Sequence, residues 1–171
     1  RVYGAPLEEL LEREKEADGI PKVLKQTLIY IAQKATETEG IFRVPGDSGI
    51  INEYKILYDI GMHKDIDFSI CTIHDIAGLC KLFLRELPNP LVPFNLYSKA
   101  MEVQKNVERN PDGPNHLKNV AEIVQKIPIR RRNVLRYLLL FLKEFSSHAE
   151  KTKMHVANLA MVFAPNLLRP E

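Results

Sequence analysis

An all-α domain, a bundle of about seven to nine helices, is the fold this sequence predicts, and three observations carry that expectation. Apolar residues recur at spacings of three and four along nearly the whole chain and never settle into the alternation of a half-buried strand. Proline and glycine gather at a few points and divide the periodic stretches into pieces of helical length. The 171 residues, 45% of them hydrophobic and 27% charged, suffice for one core and are few for two. Residues 1–171 are therefore read as a single domain without internal repeats.

The first helix is expected over about 21–34. Val23, Leu24, Thr27, Leu28 and Ile31 fill one stripe, and Pro21 suits a helix start because its missing N–H would lack a partner there anyway. Gly40, Pro45, Gly46 and Gly49 cannot all lie in a helix interior, so 35–50 reads as a loop. A helix over roughly 48–61 ends at Gly61. Thr72-Ile-His-Asp75 has the spacing of a capping box and opens a strong helix ahead of the run Ala77 to Leu87. Leu87-Pro-Asn-Pro-Leu-Val-Pro93 stops it, since each proline also drives its predecessor out of the helical region. Helices near 94–108, 115–126 and 131–147 follow, the first two separated by Asn110-Pro-Asp-Gly-Pro114, and a last one runs over about 152–163.

Composition excludes several functions. With 24 basic and 22 acidic side chains the formal charge is +2, which offers no field for indiscriminate binding of nucleic acid or anionic lipid. Cys71 and Cys80 can neither build a disulfide scaffold nor complete a zinc site, which points to a reducing, cytoplasmic setting. No apolar run approaches the roughly twenty residues that span a bilayer. A start at Arg1 without Met and an end at Pro170-Glu171 read as a piece of a longer, multidomain chain. A Gly-rich phosphate loop, paired histidines beside a glutamate and a nucleophile elbow are all missing. His63, His74, His116, His148 and His155 stand singly and read as exposed or capping imidazoles.

Three segments stand out. In Glu39-Gly-Ile-Phe-Arg-Val-Pro-Gly46, apolar neighbours can pack down while Arg43 is thrust outward; from local sequence alone, an ion pair between Arg43 and a carboxylate such as Glu39 is the more ordinary reading. Lys81 and Arg85, four apart, project from one helix face, an arrangement that is more often a solvated surface than a site. In Asn158-Leu-Ala-Met-Val-Phe-Ala-Pro-Asn166, an apolar helix end meets Pro165 and an asparagine that either caps locally or offers its amide to a partner.

Together these strings resemble the signature blocks of the GTPase-activating domain that acts on Rho-family small GTPases, and the likeness covers nearly the whole chain. Tyr3-Gly-Ala-Pro-Leu-Glu-Glu-Leu is similar to the family's opening and Gly19-Ile-Pro-Lys-Val-Leu to its first long helix. Glu39–Gly46, Lys81-Leu-Phe-Leu-Arg-Glu-Leu-Pro-Asn-Pro-Leu and Lys153–Leu168 are similar to the three later blocks, in order. The resemblance implies that Arg43 is an arginine finger supplied in trans to a GTP-loaded Rho, Rac or Cdc42-type GTPase. It implies that Lys81 meets the switch regions, that Arg85 braces the finger loop through its backbone, that Asn166 contacts the GTPase near the reacting centre, and that Asn158 is structural. It further implies a monomeric activator with no cofactor of its own, GTP and Mg²⁺ being held by the partner. Nucleic acid plays no part, and the cytoplasmic domain reaches membrane or cytoskeleton only through its partner or other domains.

The sequence departs from the family in places. Ala35-Thr36 stands where relatives often have Gly-Leu, so the first helix is expected to end differently. Ile127-Pro-Ile-Arg-Arg-Arg132 puts three cations at a helix start, where the dipole disfavours them, and Arg130–Arg132 read as a solvated run. The family's final helix is expected to be missing after Glu171.

Overall fold

The protein is described from residue 1 to residue 171 by a computed structural model. Its nine α-helical segments are α1 (Leu7–Glu14), α2 (Lys22–Lys34), α3 (Ser48–Asp59), α4 (Ile73–Glu86), α5 (Phe94–Arg109), α6 (His116–Lys126), α7 (Ile129–Phe145), the single turn α8 (Ala149–Thr152) and α9 (Val156–Leu167). No strand forms, as expected of an all-α bundle.

Helix α4 is the axis of the fold. Ile76, Ala77, Leu79, Cys80, Phe83 and Leu84 are all buried, so it is apolar around most of its girth and packs against α2, α3 and α9 together. The capping box is formed as read, Thr72 accepting from the Asp75 N–H at 3.2 Å and Asp75 accepting from the Thr72 N–H at 2.8 Å. The helix therefore begins at Ile73, four residues before the apolar run that announced it. The proline-rich segment after α4 is tied down on several sides. Val92 N–H donates to Leu167 O at 3.0 Å, and Asn89 Oδ1 accepts from Phe94 N–H at 3.1 Å where α5 starts.

Other boundaries differ for identifiable reasons. Helix α1 was not anticipated, although Leu7 and Leu10 bury one face of it behind Pro6. Tyr3, wholly buried, donates its hydroxyl to Leu79 O at 3.0 Å, and Asp59 Oδ1 accepts from the N–H groups of Val2 and Tyr3. These are tertiary contacts, invisible to periodicity. The last helix, expected over 152–163, instead runs Val156–Leu167 and carries Pro165 inside it, while the turn α8 and a left-handed Lys153 (φ 59°) precede it. Proline removes the donor that would pair with Met161 O, and the helix accommodates this within its last turn, where Asn166 Nδ2 donates to the next carbonyl, Val162 O, at 2.9 Å.

The arginine run is solvated only at Arg130, which is exposed; Arg132 is half-buried and Arg131 buried. Arg131 is 4% exposed and forks to Glu8 at 2.6 and 2.8 Å while its third nitrogen donates to Asn89 O and Pro90 O, each at 2.7 Å. Burial pushes the Glu8 carboxyl up, but the Arg131 hydrogen bonds and charge prevail and hold it below the usual glutamate value. Arg130 pairs with Glu12, and Arg132 reaches Gln125 O and Ile127 O at 3.2 Å, closing the end of α6. Each cation answers to its own chain.

Replacing Arg131 by Leu strips two carbonyls and Glu8 of their donors together. We expect a loss of about 3 kcal/mol in urea unfolding, with an unchanged denaturant slope. A loss below about 1 kcal/mol would mean that this knot does not hold α7 to α1.

Candidate functional site

The loop between α2 and α3 turns on two residues in the left-handed region, Gly40 (φ 70°) and Phe42 (φ 68°). For a bulky residue that conformation costs about 1–2 kcal/mol, so something must hold it. Phe42 is wholly buried, its ring 4.9 Å from that of Phe163, 6.2 Å from Phe145 and 6.4 Å from Phe141, edge to face with all three. With Phe42 pointing in, Arg43 points out.

Arg43 is exposed, and none of the chain's ion pairs involves it, so the ordinary reading of an ion pair with Glu39 does not hold. Its N–H and that of Val44 both donate to Gly40 O, at 2.9 and 2.8 Å, which closes the turn beneath it. The guanidinium lies back over Gly40, where an added Cβ would stand 2.7 Å from Val44 Cγ2 and 3.6 Å from Arg43 Nη2. Glycine is needed there for backbone conformation and for space alike.

Both ends of the loop are fixed. Upstream, Gly40 N–H donates to Thr152 O at 2.8 Å, in the α8 turn whose following carbonyl, Lys153 O, accepts from Asn158 Nδ2 at 3.1 Å. Asn158 is thus structural, as expected. Downstream, Asp47 N–H donates to Asp75 Oδ1 at 2.6 Å, and Asp47 itself caps α3 through the N–H groups of Gly49 and Ile50. Burial would raise the Asp75 pKa, but hydrogen bonds from Asp47 and Thr72 and the nearby His74 outweigh it and leave the carboxyl below the ordinary aspartate value.

The brace on the loop backbone expected of Arg85 is made by Lys81. Lys81 Nζ, not Arg85, grips the loop backbone, donating to Phe42 O at 2.5 Å. The loop crosses α4 near Asp75, and at a rise of about 1.5 Å per residue Lys81 lies a full turn closer to it than Arg85 does. Arg85 instead donates to Asn166 Oδ1 at 3.4 Å. Asn166 is 6% exposed and has both ends of its amide engaged within the chain, so the expectation of an amide offered outward gives way to an internal brace on Arg85.

Lys81 and Arg85 line an open cleft of about 410 Å³ between α3 and α4, together with Gly46, Asn52 and Lys55 among others. Its acid, Glu86, is paired with Lys55 at 2.7 Å. Burial, and then repulsion from Arg85, push the Lys81 ammonium below the usual lysine value. Lys81 and Arg85 thus concentrate positive charge on this face of α4. No three His, Cys, Asp or Glu side chains gather as a metal would require. No helix is long and apolar enough to cross a membrane.

The geometry brings together all four residues singled out beforehand and adds Phe42, Asp75 and the Thr152 carbonyl. Phe42 carried a signal, an aromatic inside a Gly/Pro-framed loop; the second partner of Asp75 and the backbone acceptor at Thr152 carried none.

The RhoGAP domain profile matches residues 21–171. The chain is 34% identical over 172 residues to human Rho GTPase-activating protein 24, covering 99% of this chain and 23% of that protein. It is 36% identical over 166 residues to human Rho GTPase-activating protein 1, covering 97% and 36%, and 37% identical over 169 residues to Rho GTPase-activating protein gacJJ of Dictyostelium discoideum, covering 99% and 18%. It thus spans a minor part of each relative. Among solved structures, human Rho GTPase activating protein 15 superposes with a TM-score of 0.82 at 27% identity, covering 99% of this chain and 78% of that one. The BH domain from GRAF shares the fold, with a TM-score of 0.75 at 22% identity over 91% of this chain and 82% of that one.

Truncating Phe42 to Ala should empty the aromatic box and cost about 3–4 kcal/mol in denaturant unfolding, with amide exchange accelerated from Gly40 to Asp47. Protection of that loop equal to the unaltered protein would show that the ring does not hold it.

Proposed function

The chain belongs to the RhoGAP domain family, and from that premise we propose that it accelerates GTP hydrolysis on a GTP-loaded Rho-family small GTPase, lending Arg43 in trans to the partner's nucleotide site. One observation carries the reading: Arg43 is exposed and unpaired on a loop whose backbone is held from three sides. Transfer of the γ-phosphoryl group to water spreads negative charge over the γ oxygens and the β–γ bridge. A guanidinium already in place stabilises that charge more than it stabilises the ground state, and its flat fork matches two oxygens where an ammonium offers a point.

The remaining residues divide the work. Lys81 acts through the loop by holding the carbonyl that precedes Arg43. Arg85, with most of its donors unpaired and one nitrogen steadied by Asn166, faces the cleft where an acidic or phosphate-bearing edge of the GTPase would dock. Nucleotide, Mg²⁺ and the residue that orients the attacking water belong to the partner, in keeping with the missing phosphate-loop and metal motifs of this chain. The work takes place in the cytoplasm, with membranes or cytoskeleton reached through the partner or through other domains.

Single-turnover hydrolysis by Rho, Rac and Cdc42-type GTPases, with and without the domain, tests this directly. Across the class a finger is worth about 10³ to 10⁵ in rate, so Arg43→Ala should remove at least about 100-fold of the stimulation with little change in affinity, and Arg43→Lys should not restore it. A fully active Arg43→Ala domain would overturn the assignment. Lys81→Met should mainly lower the saturating rate and Arg85→Ala mainly raise the half-saturating concentration, each by about tenfold; the reverse pattern would exchange their roles.

A further inference from the structure

As the third residue of a capping box, Asp75 needs one carboxylate oxygen. Oδ2 does that work, accepting from Thr72 N–H and from the Thr72 hydroxyl, both at 2.8 Å. Oδ1 is left over and takes the Asp47 N–H at 2.6 Å, from 28 residues earlier in the chain. The residue is 3% exposed, so its carboxylate depends on these partners. Nor is there slack around it: a Cβ on Gly46 would stand 2.7 Å from Asp75 Cα, from Asp75 Oδ1 and from His74 O. On the exit side of the loop, Pro45 has no N–H, and the Asp47 N–H is the backbone donor that reaches an acceptor.

We infer that Asp75 is a positioning residue for Arg43, its carboxylate setting where the finger loop leaves the site and so where the guanidinium stands. The inference rests on Arg43 acting as the finger. A helix cap requires only that the side chain serve its own helix; this one also reaches across to the loop, four residues beyond Arg43. Upstream the loop is tied to the Thr152 carbonyl and in the middle to Lys81; Asp75 completes the restraint on the downstream side. Losing it leaves the ring of Phe42 in place but lets the segment from Val44 to Asp47 drift, and small errors of placement at a reacting centre are costly in rate.

The test pairs rate with an independent view of the loop. Single-turnover hydrolysis of GTP on a Rho-family GTPase is measured against domain concentration for Asp75→Leu, Asp75→Asn and Thr72→Ala. Amide exchange across Arg43–Asp47 is followed in the domain alone. Asp75→Leu should lower the saturating rate about tenfold or more with the half-saturating concentration little changed, and should expose the Arg43–Asp47 amides. Asp75→Asn keeps an acceptor for Asp47 and should retain most of the rate, and Thr72→Ala, which weakens only the cap, should do the same.

Should Asp75→Leu fail to fold, the same bond can be cut from the other side. Asp47 has φ −72°, which proline tolerates, so Asp47→Pro removes the donor while Asp47→Ala removes the side chain and keeps it. Proline should reproduce the rate loss and alanine should not. Full saturating rates in Asp75→Leu or Asp47→Pro, equal losses in Thr72→Ala, or unchanged loop exchange would overturn the positioning role. A domain that activates no GTPase would instead refute the function proposed above, and the exchange measurement alone would then judge the Asp75 tie.

Discussion

A single buried ring sets the geometry on which the rest depends. Phe42 sits in a backbone conformation that a bulky residue avoids, and it stays there because three aromatic rings from α7 and α9 enclose it. The same twist turns the next residue to the outside. Inward burial and outward presentation are thus one event, and the local strain is offset by the packing of a helix pair that has no other role in the loop. Lys81 then fastens the carbonyl that the twist leaves facing α4. The ion that grips the loop is itself destabilised by burial and by Arg85, so charge concentration at the site is a built-in cost of the arrangement.

Most of the fold was legible because helices leave local signatures. The stripe from Val23 to Ile31, the breaker at Asn110–Pro114 and the Thr72–Asp75 box each placed an element within a few residues. What local pattern could not supply was any feature decided across the fold. Helix α1 is short and is stabilised by Leu7 and Leu10 in a distant core, and α9 carries Pro165 within its last turn. The run Arg130–Arg132 shows the limit sharply: three adjacent cations look like surface, yet their acceptors are Glu12, Glu8 and carbonyls of residues 89, 90, 125 and 127. Spacing within a helix says nothing about a carboxylate more than a hundred residues away.

The site shows the same division. Arg43, Lys81, Arg85 and Asn166 were recognisable as residue types in order along the chain, and the fold does gather them. Their connections were not recognisable. Which of two cations one turn apart reaches the loop depends on where the loop crosses α4, and that crossing is decided by Gly46 lying against Asp75. An asparagine after a proline reads equally well as a cap or a lure; its burial beside Arg85 decides the matter.

The supports of Arg43 come from widely scattered stretches of chain: Asp75 and Lys81, then Phe141 and Phe145, then Thr152, then Phe163. Glu39–Gly46 is therefore not a portable module. An excised peptide of that sequence would relax out of its left-handed turn, and a graft onto another helical host would carry the arginine without the scaffolding that aims it.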